Sequence, residues 1–176
     1  MKISWEHPII SPEELYELLH RTGLLPKHEG NQQMVLALLA ASKAARYGLV
    51  LNPEGSVLAS FLFWPARQHI MAFQWIPELK GLHSRKEELA EVGTELRAVW
   101  FRDGVTRVEA QVPTRRRQTV KTLIAMGFHL ETSGQGLRGA VDYGRGPEDI
   151  SVLGLLATDP APVPPVPTPE METVNV

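Results

Sequence analysis

Apolar residues recur along this chain at two periods, and the switches between them mark its elements. In "SPEELYELLHRTG", residues 11–23, Leu15, Leu18 and Leu19 fall on one helical face. Ser11 stands as the N-cap, Pro12 opens the helix, Glu14 completes a capping box and Gly23 ends it. An alanine- and leucine-rich stretch predicts a second helix over 29–48, stopped at Gly48. The period then drops to two. "LVLNPEGSVLASFLFW", residues 49–64, reads as two strands joined by a turn at Asn52-Pro53-Glu54-Gly55. "PAR" punctuates at 65–67, and "QHIMAFQWI", residues 68–76, is a third strand stopped by Pro77. The helical period returns over 84–101, with Ser84 and Glu87 as a second capping box. Leu89, Val92, Leu96, Val99 and Trp100 form its apolar stripe. "TRVEAQV", residues 106–112, alternates as a strand. A helix over 114–127 follows, then a long strand from Phe128, a glycine-rich turn near "GRGPE" at 144–148, and a final strand. "MKIS", residues 1–4, is a short first strand, and His69 and His129 alternate into their strands.

One junction stands out. In "TLIAMGFHLE", residues 122–131, helix passes into strand with no loop between. A glycine at 127 permits a left-handed helix end, and Phe128 then drops into the core beneath the sheet.

The length of 176 residues suits one domain with a single core. A formal net charge of −2 gives no whole-molecule field toward nucleic acid. The absence of cysteine excludes disulfides, thiolate metal sites and a cysteine nucleophile. The six histidines show no metal spacing, and no Gly-x-Ser-x-Gly, phosphate-loop lysine or zinc motif occurs, so no metal is expected. No apolar run is long enough to span a bilayer, and "MKISWEHPII" lacks the apolar core of a signal peptide. The expected location is the cytoplasm, or a particle assembled in the cytoplasm, with no membrane partner.

The composition changes near the end. A domain is expected over 1–157 and an arm over 158–176, which contains "DPAPVPPVPTPEMETVNV". Proline at this density cannot join a helix or a central strand and favours extended polyproline conformation. The arm reads as a linker or as a docking arm for a protein partner, with Pro162, Pro164, Pro165 and Pro167 as its contact residues.

The order strand, helix, helix, three strands, helix, strand, helix, strand, strand resembles that of the GNAT acetyltransferase superfamily. The tightest match is "VPTRRRQTVKTLIAMGFHLETSGQGLRGAVDYGRGPEDISVLGLL", which is similar to the C-terminal half of GNAT enzymes that acetylate ribosomal-protein N-termini. Gly127, Phe128, Glu131, Gly136, Leu137, Arg138 and Asp149 carry that pattern. The resemblance implies an α/β (α+β) fold: a mixed, mostly antiparallel central sheet of about seven strands flanked by four helices.

It also implies a site. The family holds its cofactor diphosphate on backbone amides between strand four and helix three, with glycines that let main chain and phosphate approach closely. Its loop pattern is Arg or Gln, two residues, Gly, one residue, then Gly or Ala. The best match starts at Lys80 in "KGLHSR", which puts His83 and Arg85 on the two glycine positions. Side chains there crowd a phosphate, although Arg85 is also able to pair with one. The cofactor contacts implied are Lys80, Gly81, His83, Ser84, Arg85 and Arg116. Eleven and four residues before Gly127, the family often has asparagine and tyrosine; here stand Arg116 and Leu123. Leucine cannot protonate a departing thiolate, which leaves Thr122 as the substitute acid. The candidate bases are Glu78, just past strand four, and Glu109 on strand five.

Arg115, Arg116 and Arg117 open a helix, where the dipole disfavours cations. They read either as a solvated face or as a seat for an anionic partner: a cofactor phosphate, an acidic protein surface or a nucleic-acid backbone. Nucleic acid is the weakest of these, because the interleaved aromatics that stack on single strands are missing.

Two functions follow. The first is a catalytically degenerate GNAT-fold protein that serves as a structural or binding module in a larger assembly, with no cofactor. In size and altered loop the chain is similar to GNAT-like proteins of tailed phages, so a phage virion component is the example. The second is an active acetyl-CoA-dependent N-acyltransferase acting on a protein or small-molecule amine.

Overall fold

The computed structural model describes residues 1–5, 11–21, 46–102, 104–132, 136–142 and 146–162. The strands are β1 (Lys2–Ser4), β2 (Arg46–Leu51), β3 (Val57–Arg67), β4 (Ile70–Pro77), β5 (Arg107–Pro113), β6 (His129–Leu130), β7 (Leu137–Asp142) and β8 (Pro147–Leu156). Among the described residues the helices are α1 (Pro12–Arg21), α2 (Lys86–Trp100) and α3 (Arg117–Ala125), with a 3-10 turn at Leu82–Ser84. The strands form one sheet in the order β1-β2-β3-β4-β5-β8-β6, with β7 also paired to β8. Every pair is antiparallel except β4–β5, which is parallel. The mixed, mostly antiparallel sheet implied by the sequence is therefore present, with eight strands in place of seven.

Local chemistry explains most boundaries. At the start of α1 the capping box closes: Glu14 N donates to Ser11 Oγ at 3.1 Å, and Ser11 N to Glu14 Oε2 at 2.9 Å. The hairpin turn at Asn52–Gly55 forms, with Gly55 N bonded to Asn52 O and Ser56 N to Asn52 Oδ1. The second capping box does not form. Ser84 lies in the 3-10 turn and donates its hydroxyl to Gly81 O, and Arg85 is the N-cap of α2 without a side-chain bond.

Tertiary pairing overrides other expectations. The helix predicted over 29–48 is contradicted at its end, where Arg46–Gly48 pair with Phe61–Phe63 as the start of β2; residues 29–45 and Gly23 lie outside the described residues. Gly48 is there for closeness, because a Cβ at this position would overlap the Phe61 ring. "PAR" does not end a strand. Pro65 pairs with Met71 beyond the last β2–β3 pair, so its missing N–H costs no ladder bond to β2, and a register shift follows before Arg67. His69 consequently sits in the turn, with φ of 61° and Nδ1 at 2.9 Å from Gly104 O. The long strand from Phe128 is divided into β6 and β7, which lie in turn along β8.

The core lies between one sheet face and α2 with α3. Leu89, Val92, Leu96 and Trp100 of α2 are buried, as the stripe requires, and Val99 packs against them. Phe73 of β4 is the meeting point, with its ring 4.8 Å from Trp100, 5.7 Å from Phe128 and 6.0 Å from Phe61. The junction at Gly127 brings Phe128 there. Phe128 N donates to Leu123 O and Gly127 N to Ile124 O, the paired bonds of a Schellman cap, with Gly127 at φ 97°.

The described residues past 157 touch the domain. Asp159 Oδ2 accepts from Leu156 N, its carbonyl accepts from Arg97, and Pro162 lies over Gly127. The first residues of the arm thus rest on the domain's own surface, so Pro162 is engaged within the chain. Pro164, Pro165 and Pro167 lie outside the described residues. No helix among the described residues is long and apolar enough to cross a membrane.

Replacing Gly127 by Ala forces an L-residue into the left-handed region at a cost of about 1–2 kcal/mol. Removing the buried ring with Phe128→Ala costs about 3–5 kcal/mol. Thermal unfolding is expected to show a midpoint lowered by several degrees in the first and by clearly more in the second; equal midpoints in all three proteins would refute this account.

Candidate functional site

β4 and β5 share only three register pairs, Ile70–Arg107, Met71–Val108 and Ala72–Glu109. Beyond them β4 stays bonded to β3 as far as Ala59–Pro77, and β5 to β8 as far as Pro113–Ile150. The two strands therefore part. A crevice of about 650 Å³ lies at the open end. One wall is the segment after β4, with Glu78, Lys80 and His83; the other is the start of α3, with Arg116, Arg117 and Thr122.

The structure thus gathers most of the residues singled out in the sequence. Glu78, Lys80, Gly81, His83, Arg115, Arg116, Arg117 and Thr122 all line the crevice. Glu109, Ser84 and Arg85 do not appear in its lining. Glu109 faces Arg107 at 3.4 Å and accepts from Gln111, and Arg85 lies 3.7 Å from Glu88. Thr122 is buried and donates its hydroxyl to Gln118 O, one turn back in its own helix, so its proton is engaged. Leu123 is fully buried and belongs to the core. Among the described residues no group of His, Asp and Glu gathers to hold a metal.

The arginine run sits differently from the sequence expectation. α3 begins at Arg117, with Arg116 as its N-cap and Arg115 just before it, so the run straddles the helix N-terminus and lies at the positive end of the dipole. Arg115 Nε donates to Glu148 Oε2 at 2.9 Å, which ties this cation to β8.

Three residues absent from the sequence-based site complete it. Ser60 of β3, fully buried, donates to Glu78 Oε1 at 2.7 Å. Tyr47 of β2 donates to Ser60 Oγ at 3.1 Å. Arg21, at the end of α1, donates to Glu78 Oε2 at 3.1 Å. Burial, above all, holds the Tyr47 phenol above its ordinary pKa; the bond to Ser60 opposes this and the Glu78 charge adds to it. Tyr47 thus stays protonated as the donor to Ser60. A serine inside the apolar run "LASFLF" was the available signal for Ser60, whereas Tyr47 fell within a predicted helix.

The crevice suits an anion by charge, and two amides of the loop beside it are engaged internally. Ser84 N is bonded to Gly81 O and Arg85 N to Leu82 O, within the 3-10 turn that Gly81 opens at φ 79°. Side chains occupy the positions at which the loop pattern has glycine.

Residues of the C-terminal pattern serve the fold. Gly139 N donates to Asp149 Oδ1 at 2.7 Å, which fixes β7 on β8. Glu131 and Arg107 form a two-pronged ion pair, with Nη1–Oε1 at 2.6 Å and a second bond from Nη2 to Oε2. The hydrogen bonds from Arg107, with its charge, hold the Glu131 carboxyl below its usual range. A carboxyl lowered in the folded state contributes stability above its unfolded pKa and loses it as pH falls through the folded value. Urea midpoints of the wild type and a Glu131→Gln variant should therefore differ near neutral pH, with the variant weaker, and converge below the ordinary carboxylate range. A gap that persists in acid would show that the pair contributes by some other route.

No family model matches the sequence, and no curated protein matches it. Solved structures do match its fold. The spermidine N-acetyltransferase from Vibrio cholerae, in complex with CoA and spermine, superposes with a TM-score of 0.62 at 12% identity, over 90% of this chain and 96% of that one. YncA from Salmonella typhimurium, with its cofactor acetyl-CoA, gives 0.61 at 14% identity, over 92% and 96%. The eight-stranded sheet, its parting between β4 and β5 and these superpositions together establish that the chain has the GNAT acetyltransferase fold.

Proposed function

We propose that this chain is a catalytically degenerate GNAT-fold protein that acts as a binding or structural module in a larger assembly. The observation that carries this reading is the loop after β4. Its Ser84 and Arg85 amides are engaged inside a 3-10 turn, and His83 lines the crevice at a position where the family's loop has glycine. Two facts support it: Leu123 is sealed in the core where the family often has a proton donor, and the Thr122 hydroxyl is bonded within α3. The arm from 158 onward is the segment through which such a module would join a protein partner. A particle assembled in the cytoplasm, such as a tailed-phage virion, is the kind of assembly in view.

The open crevice and its cations favour a second reading, an acetyl-CoA-dependent N-acyltransferase. A fold shared with a spermidine N-acetyltransferase makes a polyamine the first acceptor to try.

Calorimetric titration of acetyl-CoA into the pure protein separates the two. No binding heat up to millimolar ligand, and no acetyl transfer to spermidine, are the expected results. Micromolar affinity would overturn the degenerate reading. Should weak binding occur, His83→Gly is expected to strengthen it, because the imidazole no longer crowds the phosphate.

A further inference from the structure

Among the described residues that line the crevice Glu78 is the one carboxylate, and its two oxygens are held unequally. Oε1 is fixed from within by Ser60, itself fully buried and backed by Tyr47. Oε2 is capped from outside by Arg21, whose side chain is 70% exposed, against 24% for Glu78. An ion pair so exposed is weak and opens readily, because water solvates the guanidinium almost as well. The inner bond has no such alternative. Glu78 is therefore a carboxylate held in place, with one oxygen available to any cation that displaces Arg21.

The rest of the crevice decides what that cation must carry. Among the described residues Lys80 and Arg117 line the same space, while Arg115 is paired with Glu148. A simple amine would meet more positive charge than negative. A molecule with an ammonium group for Glu78 and an anionic group for the cations would meet opposite charge at both ends. We propose that Glu78, set by Ser60 and Tyr47, is the ammonium end of a site for small zwitterions that bear a primary amine and a phosphate-type anion, with Arg21 as a tethered competitor for the same oxygen. This rests on reading the crevice as a binding site, and names the ligand class it takes.

The probes are phosphoethanolamine and ethyl phosphate, which share the anion and differ in the amine. Their affinity ratio, measured by chemical-shift titration of the labelled protein, isolates the Glu78 end. A ratio of about fivefold in favour of phosphoethanolamine is expected, the upper scale of one partly exposed ion pair. In Glu78→Gln the ratio should fall to about one. In Arg21→Ala it should rise by about two- to fivefold, since the competitor is gone. Arg21 is exposed and Glu78→Gln preserves shape, so both variants keep the fold. A wild-type ratio near one, a ratio unchanged in Glu78→Gln, or absence of binding by either probe would overturn the site. A ratio that falls in Arg21→Ala would overturn the competitor role. No acyl donor is present, so these results are independent of the acetyl-CoA titration.

Discussion

The structure depends on a join of three residue pairs. β1 to β4 form one antiparallel half of the sheet and β5 to β8 the other, and Ile70–Ala72 against Arg107–Glu109 is all that links them through the ladder. Each half satisfies its own backbone elsewhere: β4 against β3, β5 against β8. Strands held on one side are free to part on the other, and their ends then deliver two chain segments to a shared space. The segment after β4 carries Glu78, Lys80 and His83; the segment after β5 carries the arginine run. The aromatic packing around Phe73 keeps the halves together beneath the opening, through Trp100 of α2 and Phe128 after α3.

The fold is shared with the acetyltransferases it superposes on. In the loop after β4, the Ser84 and Arg85 amides are bonded within the 3-10 turn. Where proton transfer needs a donor facing the ligand, this chain has a core leucine and a threonine bonded to its own helix. Among the described residues the opening is a charged recess, with cations along one part and one firmly held carboxylate at another. Side-chain ion pairs need neither a main-chain approach nor a poised acid.

The residues that carry the family pattern most plainly are the ones least concerned with the recess. Gly127 ends a helix, Phe128 fills the core, Asp149 bonds Gly139, and Glu131 pairs with Arg107 across the sheet. Their roles are set by backbone geometry and by burial, which any protein of this fold must satisfy whatever its task. Likeness at such positions speaks to architecture and is silent on chemistry.

Local rules therefore determined a good deal without tertiary information. The capping box at Ser11, the turn at Asn52–Gly55, the stripe of α2 and the glycine exit at Gly127 involve neighbours within a few residues, and periodicity or cap chemistry reads them directly. Glu78, Lys80, His83 and the arginines were also legible as a set, through loop position. Other features were decided only by the folded chain. Arg46–Gly48 became strand because Phe61–Phe63 were there to pair with, "PAR" stayed in β3 because β2 had ended beside it, and Ser84 turned to Gly81 instead of capping α2. The chain Tyr47–Ser60–Glu78–Arg21 joins four separate elements. Spacing along a sequence cannot report it, since each of its bonds depends on where the sheet and α1 place residues that are distant in the chain.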